Sequence, residues 1–284
     1  MAKKEFTPVE TEQKVTNLYN NTILCTIIIG MDKKRNAVCL VTIKPHVVWI
    51  DFLAQFHNYD VFIVVDRPMD PECRDFIQIT NEDCIKAGYI HSSFMPNSSL
   101  VFNEIIAWDR ALFYFTNVCV DYDNVWFFED DVFFYGENTI LNVDAKYPNS
   151  DILCKQKNPE PGEGEWAWFW PAINIDFPGP YFHSPICAVR MSRKLLSYID
   201  EYVARPHVRK LFFIEAMFPT IAHYNGLIYD MPVELGEIHW RRDWSIEDID
   251  RGTFFHPMKN MEQQREFREL LMLHAEAEGE IGSV

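Results

Sequence analysis

The stretch Val125–Tyr135 reads VWFFEDDVFFY: three consecutive acids, Glu129, Asp130 and Asp131, between two runs of large apolar side chains. Four apolar residues in a row predict a strand buried on both faces, as in a sheet covered by helices on either side. Ionised carboxylates do not belong inside such a strand, because an unpaired buried charge is strongly destabilising. The pattern therefore predicts a strand that ends near Glu129 and delivers the acids into a cleft at its carboxyl edge. Three crowded carboxylates repel one another unless a cation joins them. Hard ions such as Mg²⁺ and Mn²⁺ take oxygen ligands and keep positions open for phosphates. A solvated acidic turn in a β-hairpin is the alternative, and the apolar runs on both sides weigh against it.

The 284 residues allow one large domain or two small ones, and 48% hydrophobic with 15% aromatic residues describes a globular chain. A formal charge of −16 argues against a nucleic-acid surface, which needs a basic patch, and against anionic lipid. Met1–Val15 holds no apolar h-region, and the apolar run Ile23–Gly30 is too short to span a bilayer, so a soluble chain with no transmembrane segment is expected. The seven cysteines are odd in number and contain no CxxC pair, which fits reduced thiols and a cytoplasmic location. Cys25, Cys119 and Cys187 lie in apolar runs, where a thiol acts as a small core residue. The sequons at Asn20 and Asn97 carry no weight without an export signal.

The first half alternates apolar runs with helical patterns, the signature of an α/β sheet. Leu24–Ile29 and Val61–Val65 read as strands, the second ending at Asp66-Arg67-Pro68, with a helix over Val47–Phe56 between them. Ser98 or Ser99 is positioned to cap a helix carrying Phe102, Ile105, Ile106, Leu112 and Phe113 on one face, which leads into the strand ending at Glu129. Parallel strands of this kind present ligands at their carboxyl ends, so Asp66 and the acidic cluster are expected at one edge. Further on, Asp151–Cys154 and Ser184–Val189 read as strands. Ser192 caps a helix through about Val203, and Phe212–Asn225 forms another, closed by Gly226 and interrupted at Pro219. The segment after Met261 reads as a charged amphipathic helix.

This order of motifs resembles the GT-A class of nucleotide-sugar-dependent glycosyltransferases. It comprises a strand with Asp66, an amphipathic helix, VWFFEDDVFF, an apolar strand with a following SRKLL helix, FFIEAMFP and a late HPMK. The likeness covers roughly Ile23 to Lys259, and its most specific part is EDD, a variant of the family's DxD motif. The resemblance implies an α/β, Rossmann-like fold with a mixed, mostly parallel central sheet flanked by helices. It also implies an N-terminal extension (1–22), a single catalytic domain (23–260) and a C-terminal helix and tail (261–284). Within that domain, 23–135 would be the nucleotide-binding half and 136–260 the acceptor half.

The same resemblance implies a Mn²⁺ or Mg²⁺ cofactor held by Asp131 with Glu129 and His256. Donor-binding roles fall to Asp66, Arg67, Glu129, Asp130 and Lys259. The partners are a nucleotide-sugar donor, a UDP-sugar with UDP-xylose as one choice, and a glycan or glycoprotein acceptor. An inverting transferase needs a carboxylate base. Glu215, among apolar neighbours that raise a carboxyl pKa, is the candidate and Asp243 the reserve; their ordinary alternatives are an exposed helix position and a salt bridge to Arg241 or Arg242. Trp166, Trp168 and Trp170 offer an acceptor platform, or else half-buried strand packing. KNPEPGEGE (157–165) has the composition of a lid, as well as of an ordinary loop. Many members of the class carry a membrane anchor; this sequence resembles soluble members without one, such as those of large DNA viruses.

Other readings remain open at this stage. Asp121-Tyr122-Asp123-Asn124-Val125 fits the DxDxV pattern of haloacid-dehalogenase-like phosphatases, with Asp121 as nucleophile after a Val118–Val120 strand. A nucleotide-sugar pyrophosphorylase would need a Gly-rich loop after its first strand, which is missing from the sequence. A non-catalytic glycan-binding protein using the tryptophans would need no acidic cluster.

Overall fold

The computed structural model describes residues 35–66, 79–89, 105–159, 180–204 and 214–277. Among the described residues six strands form the main sheet: β1 (Asn36–Thr42), β2 (Asp60–Val65), β3 (Asn124–Glu129), β4 (Ile152–Leu153), β7 (Ala188–Ser192) and β8 (Tyr229–Asp230). Their spatial order is β2-β1-β3-β7-β4-β8, and a separate pair joins β5 (Asn158–Pro159) to β6 (Phe182–His183). β1 pairs in parallel with β2 and with β3, and β4 in parallel with β8, while β7 runs antiparallel to both β3 and β4. Every strand of the main sheet except β7 therefore points the same way, and their carboxyl ends share one edge. The architecture is a mixed α/β sheet with helices on both faces.

Alternation along β3 explains why VWFF is apolar throughout. Val125 and Phe127 face one core with α3 (Ala107–Phe113), α5 (Arg193–Val203) and α6 (Ile214–Tyr224). Trp126 and Phe128 face the other with α1 (Val47–Leu53) and α4 (Glu137–Lys146), where their rings stack on each other and on Phe254 at 5.4–5.7 Å. A third cluster, Phe133, Trp244, Phe255, Met258, Phe267 and Leu271, seats the last helix, α7 (Met261–Ala277), against the body. A short helix, α2 (Asn81–Ala87), starts with a Thr80–Asp83 capping box. Among the described residues no helix is long and apolar enough to cross a membrane.

Several boundaries differ from the sequence reading. The strand between β2 and β3 is β1, Asn36–Thr42, which the pattern reading passed over; Leu24–Ile29 lies outside the described residues. Ala37 and Cys39 are weak strand formers, yet this run is buried on both faces between β2 and β3. α1 stops at Leu53 rather than Phe56. Ile105 and Ile106 precede α3, because the Asp109 carboxylate accepts the Ile106 amide at 3.0 Å and sets the helix start there; Ser98, Ser99 and Phe102 lie outside the described residues. Ser184–Ile186 is not strand, and β7 runs instead from Ala188 to Ser192, since Pro185 has no N–H to give a ladder. Ser192 caps α5 by accepting the Leu195 amide at 3.1 Å. Gly226 follows α6 with φ +60°, the left-handed region that favours glycine.

Candidate active site

β3 ends at Glu129, in register with Val41 of β1, and the chain turns at once: the Val132 amide donates to the Glu129 carbonyl at 3.1 Å. The acids are thus held on a tight turn at the carboxyl edge. Thr42, the last residue of β1, donates its hydroxyl to the Asp130 carboxylate, and its carbonyl accepts the Asp66 amide at 3.0 Å. Asp66, just past β2, pairs with the buried Arg110 at 3.5 Å. Asp66 and the acidic turn therefore lie at the same edge.

His256 reaches this turn from far along the chain. Phe133 and Phe255 exchange backbone hydrogen bonds of 2.8 Å in each direction, and the Met258 amide donates to the Asp131 carbonyl at 2.6 Å. The His256 Nδ1 donates to the His239 carbonyl at 2.5 Å, so the ring turns its Nε2 toward Asp131 Oδ1, 3.2 Å away. This is the arrangement that orients an imidazole as a metal ligand. Glu129 receives the Trp108 indole N–H on Oε1 at 2.8 Å. One donor atom each from Glu129, His256 and Cys187 lies within 4.8 Å of the others.

The electrostatics describe a site short of positive charge. Burial pushes the Glu129 carboxyl up, against the pull of the Trp108 hydrogen bond, and Asp131 pushes it further. Burial also raises Asp130, opposed by the Thr42 hydroxyl and reinforced by Asp131. His256 is disfavoured as a cation by burial, but its contacts with Asp131 and the His239 carbonyl outweigh this and hold it above the usual imidazole range. Burial drives the Cys187 thiol well above its ordinary value, and Glu129, Asp131 and Glu215 add to the effect. A divalent cation relieves all these repulsions together. Two carboxylates and a pre-oriented imidazole fit Mn²⁺, and Mg²⁺ less closely because of the nitrogen donor.

Glu215 belongs to the same neighbourhood. It stands in the first turn of α6, its carbonyl accepts the Ser184 amide at 3.0 Å, and its carboxyl is pushed up to about 7 by burial and by the charge of Glu129. Asp243 and Lys259 are exposed, and Arg242 pairs with Glu237 at 3.0 Å and Asp248 at 3.8 Å. Arg67, Trp166, Trp168 and Trp170, with most of the 157–165 loop, lie outside the described residues. Asp121 falls at the amino end of β3, the opposite edge, and Tyr114–Val118 ahead of it is a π-helical turn where the phosphatase reading needs a strand.

Pattern reading missed the groups that hold the acids in place. The Asp130 carbonyl accepts the Trp49 indole at 2.7 Å and Gln264 Nε2 at 2.8 Å, and the same Gln264 nitrogen donates to the Met258 carbonyl at 2.8 Å. Gln264, fully buried on α7, thus ties the acidic turn to the His256 segment. A buried Gln on an otherwise charged helix is the only trace this leaves in the sequence. Replacing it by leucine is expected to weaken Mn²⁺ binding by roughly 10- to 100-fold, the usual cost of removing a support behind the ligands. Calorimetric Mn²⁺ titration of the folded variant checks this.

The fold and the site together define an α/β protein with a cluster of carboxylates and an imidazole at the carboxyl edge of a mixed sheet. No protein-family model matches the chain, and no curated protein sequence does. Among solved structures it is similar to the galactosyltransferase LgtC in complex with donor and acceptor sugar analogs, at 13% identity and a TM-score of 0.44, over 83% of this chain and 96% of that one. An active-site mutant of LgtC matches at 13% identity and a TM-score of 0.43, over 83% and 95% of the two chains. The mannosyltransferase Ktr4p from S. cerevisiae matches at 14% identity and a TM-score of 0.32, over 72% of each chain.

Proposed function

We propose that this protein is a cation-dependent glycosyltransferase of the GT-A type. It would move a sugar from a nucleotide-sugar, a UDP-sugar for choice and UDP-xylose among the candidates, to a hydroxyl of a glycan or glycoprotein. The observation that carries the reading is the Glu129–Asp131 turn at the carboxyl end of β3, with the His256 Nε2 turned onto it. Glu129, Asp131 and His256 would hold Mn²⁺ or Mg²⁺. When bound, that ion supplies Lewis-acid stabilisation for the negative charge that develops on a leaving diphosphate.

The chain's own groups supply the rest. Asp130 and Asp66 present carboxylates at the same edge for the hydroxyls of the ribose or sugar, and Lys259 is the candidate point charge for phosphate. Glu215, its carboxyl near 7, is suited to take the proton from the acceptor hydroxyl. As base, Glu215 implies inversion at the anomeric carbon, which NMR of the product reads directly; retention would remove it from that role. Glu215→Gln is expected to lower kcat roughly 10²- to 10⁴-fold while donor affinity holds.

The primary test is calorimetric titration with UDP- and GDP-sugars, with Mn²⁺ and with chelator. Donor binding that disappears with chelator is expected, and the tightest ligand names the sugar. Absence of binding to any nucleotide-sugar would sink the proposal.

A further inference from the structure

Cys187 is the one thiol among the described residues that is grouped with an acidic residue and a histidine within 4.8 Å of each other. Its position follows from the sheet. β7 runs antiparallel to β3 with Ala188 opposite Phe128, and the Glu129 amide donates to the Cys187 carbonyl at 2.8 Å. Cys187 is therefore the cross-strand neighbour of Glu129, a relation that places two side chains on one face of the sheet. His256 is anchored through Nδ1 to the His239 carbonyl, which leaves its Nε2 for the group.

One sulfur, one nitrogen and one oxygen donor all lie within 4.8 Å of one another. Ligands on a single zinc sit roughly 2.0–2.3 Å from the ion, so two donors of one tetrahedral site lie somewhat closer together than this. Small side-chain movements would close the set. Thiolate, imidazole and carboxylate together suit zinc and its softer relatives, whereas Mn²⁺ and Mg²⁺ prefer oxygen and leave a neutral thiol alone.

We infer that Cys187, Glu129 and His256 form a binding site for a thiophilic divalent cation such as Zn²⁺ or Cd²⁺, overlapping the hard-cation set completed by Asp131. On binding, a metal–sulfur bond forms, the S–H bond breaks and its proton passes to solvent; no redox change is involved. A soft cation then occupies two of the groups that the hard ion needs, so the two kinds of ion exclude each other. Trace zinc acts as an inhibitor of whatever the hard ion supports. The inference shares Glu129 and His256 with the proposed transferase site but does not require that sugar be transferred.

The test is titration of the whole chain with Cd²⁺, followed by ultraviolet sulfur-to-cadmium charge-transfer absorption, with Mn²⁺ displacement read by electron paramagnetic resonance. A band saturating at one Cd²⁺ per chain and release of bound Mn²⁺ are expected. The band should vanish in Cys187→Ala and in His256→Ala and persist in Cys154→Ala, whose thiol instead contacts the Tyr229 hydroxyl at 2.8 Å. Cys187→Ser serves as the second thiol-free variant, with circular dichroism establishing that each protein is folded. An undiminished band in a folded Cys187 variant, or Cd²⁺ binding that leaves Mn²⁺ in place, would overturn the inference. Nucleotide-sugars take no part in this readout. A chain that binds none can still show the band, and a transferase can still lack it, so the two proposals fail separately.

Discussion

Asp131→Ala is expected to lower Mn²⁺ affinity by roughly 100-fold or more, since even the groups behind a metal's ligands are worth 10- to 100-fold. Metal-dependent donor binding should fall with it. Asp131 sits on the turn after β3, its carbonyl is pinned by the Met258 amide, and its carboxylate faces the His256 Nε2 at 3.2 Å. The substitution leaves the carbonyl contact intact and removes only the carboxylate. It also removes a charge that repels Glu129 and Asp130, which offsets the loss of its contact with His256, so the cation-free protein should change little in stability. Equal melting temperatures with chelator present, and a melting temperature raised by Mn²⁺ in the wild type alone, would show that the loss lies in the site. Tight Mn²⁺-dependent donor binding that survives the substitution would remove Asp131 from the site. Asp131→Asn separates charge from shape: it keeps one oxygen donor and should fall between the two.

The placement of that turn was legible because it rests on local pattern. VWFF reads as a strand buried on both faces, and EDD as the turn that ends it. Ser192 and Gly226 were legible for the same reason, since a cap and a left-handed residue act within a few positions of their own chain. Glu215 stood out as an acid among apolar neighbours, and its carboxyl is indeed pushed up to about 7. What escaped is what tertiary contact decides. β1 reads as a modest apolar run, and only the presence of β2 and β3 on either side makes it an internal strand of the sheet. Cys187 reads as a core thiol until the antiparallel pairing sets it beside Glu129. Trp108 and Gln264 carry no motif; their roles arise from the packing of α3 and α7 against the end of β3.

The largest effect on stability is expected at Asp144, on α4. Its carboxylate accepts from Arg190 Nη1 at 2.6 Å, Tyr59 Oη at 2.7 Å, Trp126 Nε1 at 3.0 Å and Asn36 Nδ2 at 3.3 Å. It thereby ties β1, β3 and β7 to one helix. Arg190 is 1% exposed, and its other terminal nitrogen donates to the carbonyls of Tyr147 and Ser150 at 2.7 and 3.0 Å. Asp144→Ala strands this guanidinium without a counter-charge inside the protein. Breaking one side of a buried ion pair costs about 3–5 kcal/mol, a large share of the ~5–15 kcal/mol that holds a domain together. The expected loss of melting temperature is roughly 5–8 °C for a chain of this size. Asp144→Asn should cost less, because it keeps an acceptor for one donor while losing the charge.

The double variant Asp144→Leu with Arg190→Met distinguishes a stabilising pair from a stranded charge. With both charges gone nothing is left unpaired, so it should be far more stable than Asp144→Ala. A double variant as unstable as the single one would instead assign the loss to the Tyr59, Trp126 and Asn36 hydrogen bonds. Trp126 lies three residues before Glu129 on β3, facing the core opposite the one that receives Phe127. Folded Asp144→Ala, held well below its melting temperature, should therefore bind Mn²⁺ as the wild type does, whereas Asp131→Ala melts normally and does not bind it. That crossed result would assign stability and cation binding to separate groups along one strand.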